Sequence, residues 1–234
     1  MSEKVSRYEI LESSIKRLSL LLEAERAAGH SDRKGQPVAS LATGITALWA
    51  QDTALPPTIV KPYTEFFDGV EVGYDSENYN WVVVDFVPGN DDSDAAPNDA
   101  PLRTPRLRVH PVISESYRSR WVTLELTIPD LNLQASEALT IGLLADFHFK
   151  DKNEALDTNV VRVVLRADRD GHSEDLDIGF FPVMTVPRLH TLVVKEKRLD
   201  LDRVGSAKRY RLLIFLPTDG DWTFSLYHLS VVTT

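Results

Sequence analysis

Cysteine is absent from the 234 residues. That excludes disulfides and thiolate metal sites and fits a reducing compartment. Basic charge is also short: 26 Lys and Arg stand against 35 Asp and Glu, a formal net charge of −9, with a pI near 5.2. Broad, non-specific nucleic-acid binding needs a basic footprint, and so does docking on anionic lipid, so neither is expected. No apolar run approaches the roughly 18 residues of a membrane span. The opening "MSEKVSRYEILESS" is charged from the outset and lacks the apolar core of a signal peptide. The expected location is the cytoplasm, with a specialised export route left open.

Catalytic signatures are missing too. There is no G-x-S-x-G elbow, no H-E-x-x-H, no P-loop and no G-x-G-x-x-G. The six histidines are scattered, and no pair shows H-x-H spacing. The reading leans away from an enzyme, although a site assembled from distant residues stays open.

What is present is ample apolar material, 43% of the chain, enough for a real core, in a length that fits one large domain plus an appendage or two small domains. The appendage is helical. "VSRYEILESSIKRLSLLLEAERAAG" lacks proline and ends on Gly29, a suitable C′ residue. Tyr8, Leu11, Ile15, Leu18 and Leu22 follow 3-4 spacing along one seam, for about three heptads. Either the helix packs on its own domain or it forms a homo-oligomeric coiled coil through Leu11, Ile15, Leu18 and Leu22. We carry self-association forward, because the segment that follows reads as a spacer. Three segments result: residues 1–29, the helix; 30–69, a linker and extended segment; and 70–234, a β-sandwich.

Ten strand candidates follow Val70: "VEVGY", "NWVVVDFV", "RLRVHPVI", "RWVTLELTI", "ALTIGLLADFHF", "NVVRVVLRA", "DLDIGFFPV", "LHTLVV", "KRYRLLIFL" and "DWTFSLYHLSVV". No helical pattern interrupts them, so the expected class is mainly β, an antiparallel two-sheet sandwich of jelly-roll type. "RDGH" and "TDGD" supply Asp-Gly turns suited to hairpins. In the last candidate Trp222, Phe224 and Leu226 alternate, then Leu229 and Val231 continue on the other parity. A bulge near Tyr227 and His228 explains the slip; so does a strand covered on both faces.

Two acidic stretches, Asn90 to Asp94 and Asp168 to Asp175, raise calcium, but neither completes an EF-hand loop. A solvated loop and a hairpin turn account for them, so no cofactor or metal is expected. Strand alternation gives the candidate site. Val122, Leu124, Leu126 and Ile128 face inward, which turns Trp121 and Glu125 outward. By the same parity Asp146, His148, Arg108 and Arg162 point outward on their own strands. If those strands are neighbours in one sheet, the six form a polar platform with an aromatic anchor. Such a platform suits sugars, since the ring stacks on a pyranose and the polar groups bond its hydroxyls. A solvated outer face explains the charges equally well.

About ten strands, long acidic loops and the closing "DWTFSLYHLSVV" resemble the jelly roll of carbohydrate-binding modules and galactose-binding-like domains, over roughly Val70 to Val232. Trp121, Asp146, His148 and Trp222 carry the likeness. It implies a non-catalytic module that binds glycans, often with a structural calcium. Three functions therefore stand: a glycan-binding module multimerised by its helix, an adaptor whose sandwich binds a protein partner, and a glycan-active enzyme using Glu125 and Asp146. The expected partners are a glycan or a protein, together with further copies of the chain.

Overall fold

The computed structural model describes residues 38–40, 48–76, 80–88, 105–112, 119–128, 131, 133, 138–150, 159–195, 204 and 207–233. The expected helix, its seam residues Leu11, Ile15, Leu18 and Leu22, and the acidic stretch from Asn90 to Asp94 lie outside them. Among the described residues no helix is long and apolar enough to cross a membrane.

The described residues form thirteen strands, β1 (Val38–Ser40), β2 (Leu55–Val60), β3 (Glu65–Phe67), β4 (Val70–Tyr74), β5 (Trp81–Val87), β6 (Arg106–Val112), β7 (Val122–Ile128), β8 (Ala138–Phe149), β9 (Val160–Arg169), β10 (His172–Pro182), β11 (Arg188–Lys195), β12 (Arg209–Leu216) and β13 (Trp222–Thr233). One sheet has the order β11-β8-β13-β6-β5-β2, with β1 added to β13; we call it sheet A. The other, sheet B, has the order β10-β9-β12-β7-β4-β3. Every described strand pair is antiparallel.

The inner faces meet in one core. Leu124 and Leu126 of β7, Val161 and Val163 of β9, and Leu212 and Ile214 of β12 face Leu107 and Val109 of β6, Ile141 and Leu143 of β8, and Phe224 of β13. Burying such side chains contributes roughly 1.5–3 kcal/mol each, which fixes register because a one-residue slip exposes a whole strand's set. Trp222 belongs to this core, packed edge-on against Phe147.

β13 pairs with β8 along its length, with β6 over its first half and with β1 at its end. The register to β8 shifts between Leu226 and His228, and Trp222, Phe224, Leu226, Leu229 and Val231 are all in the core. The phase slip is therefore a bulge at the expected place. The two Asp-Gly turns differ. Asp170-Gly171 closes the β9–β10 hairpin with Gly171 at φ 81°. The second, with Gly220 at φ 82°, carries the chain from sheet B into sheet A, so it is no hairpin.

The segment from 30 to 69 contributes more than a spacer would. β1 pairs with β13, β2 with β5 and β3 with β4, so it adds two strands to sheet A and one to sheet B. Pro56 and Pro57 hide β2 in the sequence. They are tolerated because β2 is an edge strand, where a missing N–H need not break a ladder bond.

Candidate functional site

The six outward residues divide between the two sheets. Trp121, Glu125 and Arg162 lie on sheet B, on β9, on β7 or just before it; Arg108, Asp146 and His148 lie on sheet A. Their common platform therefore does not form, since the outer faces of a sandwich look in opposite directions. Within each sheet one further strand, β12 or β13, separates the two contributing strands. The Glu125–Asp146 carboxylate pair falls for the same reason: the core lies between them.

On sheet B, register builds the outer face in rows. Gly73, Thr123, Phe215, Arg162 and Phe180 stand side by side across β4, β7, β12, β9 and β10. A bulge between Asp177 and Gly179 turns Phe180 outward, where it is 56% exposed. The Arg162 guanidinium lies 5.5 Å from the centroid of the Phe215 ring and bonds Asp177 at 2.9 Å. At the opposite end Tyr63, 53% exposed and held at φ 54°, lays its ring over Gly73. A Cβ on Gly73 would fall 2.6 Å from Tyr63 Cε1, so only glycine admits the ring there. Trp121 Nε1 donates to the Tyr63 hydroxyl at 2.8 Å, and Arg120 sits over the indole at 5.5 Å. Two aromatic rings are thereby fixed as one unit beside the row.

The next row is closed rather than open. Glu71 and Glu125 pair directly across β4 and β7, followed by Leu213 and Val164, all buried on the outer side. Glu125 is 2% exposed; one oxygen accepts from Thr123 Oγ1 at 3.1 Å and the other from Arg211 Nη1 at 2.6 Å. Arg211 also forks onto Asp168 at 2.8 and 3.1 Å, and Asp168 accepts from Ser173 and Arg209. Burial raises the Glu71 carboxyl above the ordinary range; Arg211 opposes that rise and Glu125 adds to it. Burial also pushes Asp168 up, but its bonds from Arg211 and Ser173 outweigh this and hold it below the usual range. Glu125 thus serves as the buried support of the face and does not reach a ligand from this position. The carboxylates of the Asp168–Asp175 stretch are taken up in the same way, Asp170 by Lys208 and Asp175 by Arg166.

On sheet A, Arg108 forks onto Asp85 at 2.7 and 2.9 Å. Asp146 has outward parity yet is 2% exposed. The bulge in β13 brings the Tyr227 hydroxyl within 3.3 Å of both its oxygens, and Leu144 packs with Tyr227 beside it. His148 is exposed and borders a cleft of about 220 Å³ lined by His110, Lys150, Asp221, Trp222 and Thr223. Exposed Trp81 and Ile59 lie farther along this sheet, on β5 and β2.

Sequence parity finds Trp121 and Arg162 but misses Tyr63, Phe180 and Phe215. Phe180 is lost because the β10 bulge breaks the period, and Tyr63 because it lies between strands. Phe215 was readable from "RLLIFL", whose outward position it occupies.

No protein-family model matches this sequence, and no curated protein sequence matches it either. Solved structures do. A Stig cyclase from Fischerella sp. TAU, in complex with an indole compound, matches with a TM-score of 0.50 and 12% identity, covering 85% of this chain and 98% of that one. A family 11 carbohydrate-binding module from Clostridium thermocellum, in complex with a mixed-linked β-1,3-1,4 tetrasaccharide, has a TM-score of 0.42 and 9% identity, covering 75% and 94%. Tailspike protein 4 of bacteriophage CBA120 has a TM-score of 0.43 and 11% identity; 71% of this chain matches 19% of that one. The likeness to carbohydrate-binding modules is one of architecture. At such identities fold is shared and function is not transferred.

Proposed function

We propose that this protein binds a glycan chain, without chemical conversion, across the outer face of sheet B. The observation that carries the reading is the aromatic row: Tyr63 with Trp121 at one end, Phe215 in the middle and Phe180 at the other. Strands lie roughly 4.8 Å apart, so Tyr63 over Gly73, Phe215 and Phe180 recur at intervals of roughly 10 Å across the strands. Rings spaced this way offer successive stacking surfaces for the C–H faces of an extended oligosaccharide. Arg162, Asp177 and Arg120 border those rings and supply donors and acceptors for hydroxyls. The Glu125–Arg211–Asp168 network braces the same face in the rows beside them.

The finer part of the proposal is multimerisation through Leu11, Ile15, Leu18 and Leu22. A single sugar site is weak, and linked copies raise avidity without any new contact. Light scattering on the full chain tests it: Leu18→Glu should lower the mass toward monomer. The binding reading is tested by a glycan-array screen followed by titration of each hit with Phe180→Ala and Tyr63→Ala. Loss of binding with an unchanged circular dichroism spectrum supports it. A second reading, a protein partner on this face, draws on Val160, exposed near Phe180. It takes precedence if no glycan binds.

A further inference from the structure

The Tyr63 end of the aromatic row is held by a chain of contacts that begins in a buried carboxylate. Asp75 continues the β4 ladder by one rung, its backbone N–H donating to the Trp121 carbonyl at 3.3 Å. Alternation from Gly73 gives Asp75 outward parity and sets it opposite Trp121. It is nonetheless buried. Its Oδ2 accepts from Arg120 Nε at 2.9 Å. The Arg120 guanidinium lies 5.5 Å from the centroid of the Trp121 ring, within cation–π reach. Ser119 Oγ donates to the Trp121 carbonyl at 2.7 Å, which ties down the backbone of the same residue. The indole N–H then donates to the Tyr63 hydroxyl at 2.8 Å.

Tyr63 needs such support. Among the described residues it is the one non-glycine with positive φ, 54°. That conformation strains any residue carrying a Cβ and persists where the surroundings hold it. Its backbone N–H is fixed by the Val72 carbonyl at 2.9 Å, and its hydroxyl by Trp121. We infer that Asp75 is a positioning residue for the glycan face: its carboxylate holds Arg120 against Trp121 and so sets the Trp121–Tyr63 ring pair before a ligand arrives. The inference rests on the glycan reading of sheet B and adds a residue that touches no sugar. An ordering cost met on folding does not weaken binding, so rings fixed in advance bind more tightly than rings that must be arranged. Stability alone gives a weak reason for the pair. The Arg120 side chain is 64% exposed, and a buried carboxylate gains little net stability from so solvated a partner.

The test begins without ligand. Near-UV circular dichroism of the full chain, minus that of Trp121→Phe, isolates the signal of the Trp121 ring. Asp75→Asn keeps the shape and removes the charge that grips the guanidinium; it should lose most of that signal with the far-UV spectrum unchanged. Arg120→Ala should do the same, and its exposed side chain keeps the test readable if Asp75→Asn does not fold. A full Trp121 signal in either folded variant overturns the inference. The second measurement is a double-mutant cycle on a glycan recovered from an array. Asp75→Asn should weaken binding by about threefold or more in the original protein and leave it unchanged in Arg120→Ala, a coupling of the size that contacting residues show. Equal losses in both backgrounds would overturn the route through Arg120. If no glycan binds, the glycan reading falls, while the ligand-free spectra still decide whether Asp75 fixes the ring.

Discussion

The outer faces of the two sheets are built on the same strand alternation and end up chemically different. Sheet B carries a row of rings beside a largely buried ionic network: Tyr63, Trp121, Phe215 and Phe180 next to Glu71, Glu125, Arg211 and Asp168. Sheet A gathers its polar groups into separate units, the Arg108–Asp85 fork, the Tyr227–Asp146 bond and the histidine cleft. The difference lies in register. On sheet B the aromatic positions fall into one row, whereas on sheet A that row runs Ile59, Val83, His110, then past Thr223 to His148. Alignment of side chains of one kind across strands depends on register, and parity along a single strand cannot reveal it.

The largest expected effect tests whether the ionic network supports sheet B. Glu125→Ala leaves Arg211 without one partner in a buried setting, so unfolding in urea should show a loss of about 3 kcal/mol. Asp85→Ala on sheet A breaks a pair whose arginine is better solvated and should cost only about 1 kcal/mol. Equal losses would erase the contrast between the faces.

Acid separates both faces from the seam between the sheets. His190 on β11 is buried, stacked 4.5 Å from Phe181 of β10, and burial with the nearby Arg188 charge lowers it from 6.5 to about 4. It is neutral when folded and takes a proton when unfolded, so it is without effect above about pH 6.5 and lowers stability as pH falls from there toward 4. The His190 share should reach roughly 3 kcal/mol and be absent in His190→Phe, leaving the part due to His228, which burial also lowers. Asp168 acts lower, its stabilisation being lost only below its ordinary value of 3.8. A His190→Phe profile whose slope between pH 6.5 and 4 is undiminished would place the acid sensitivity elsewhere.

Gly73→Ala is a smaller and sharper probe. Its methyl would meet Thr123 Oγ1, Tyr63 Cε1 and Glu125 Oε1 at 2.5 to 2.9 Å. Tyr63 belongs to an exposed turn and can yield, so stability should fall by about 1–2 kcal/mol while glycan affinity drops further. Trp121→Ala should cost as little as Asp85→Ala, about 1 kcal/mol, through its bond to Tyr63.

All ten strands proposed from Val70 onward are present, as are the core parity of β7, β8 and β9 and the bulge in β13. These were legible because burial of one face imposes period two on the sequence. The outward side was legible only in part. Arg162 and Trp121 stand where parity puts them, but Asp146 and Glu125 share that parity and are covered, by Tyr227 and by Arg211. Covering depends on residues distant in sequence, and so does the choice of sheet for each strand. β2 was hidden by its prolines, and Phe180 by a bulge.

The central claim is that sheet B, and not sheet A, is the glycan face. The most direct measurement takes a glycan recovered from an array and compares its affinity for two variants with exposed aromatics removed, Phe180→Ala on sheet B and Trp81→Ala on sheet A. The account predicts that Phe180→Ala loses about tenfold or more in affinity, a stacking contribution of about 1.5 kcal/mol, while Trp81→Ala binds as the original protein does. Full affinity in Phe180→Ala together with lost binding in Trp81→Ala would contradict it.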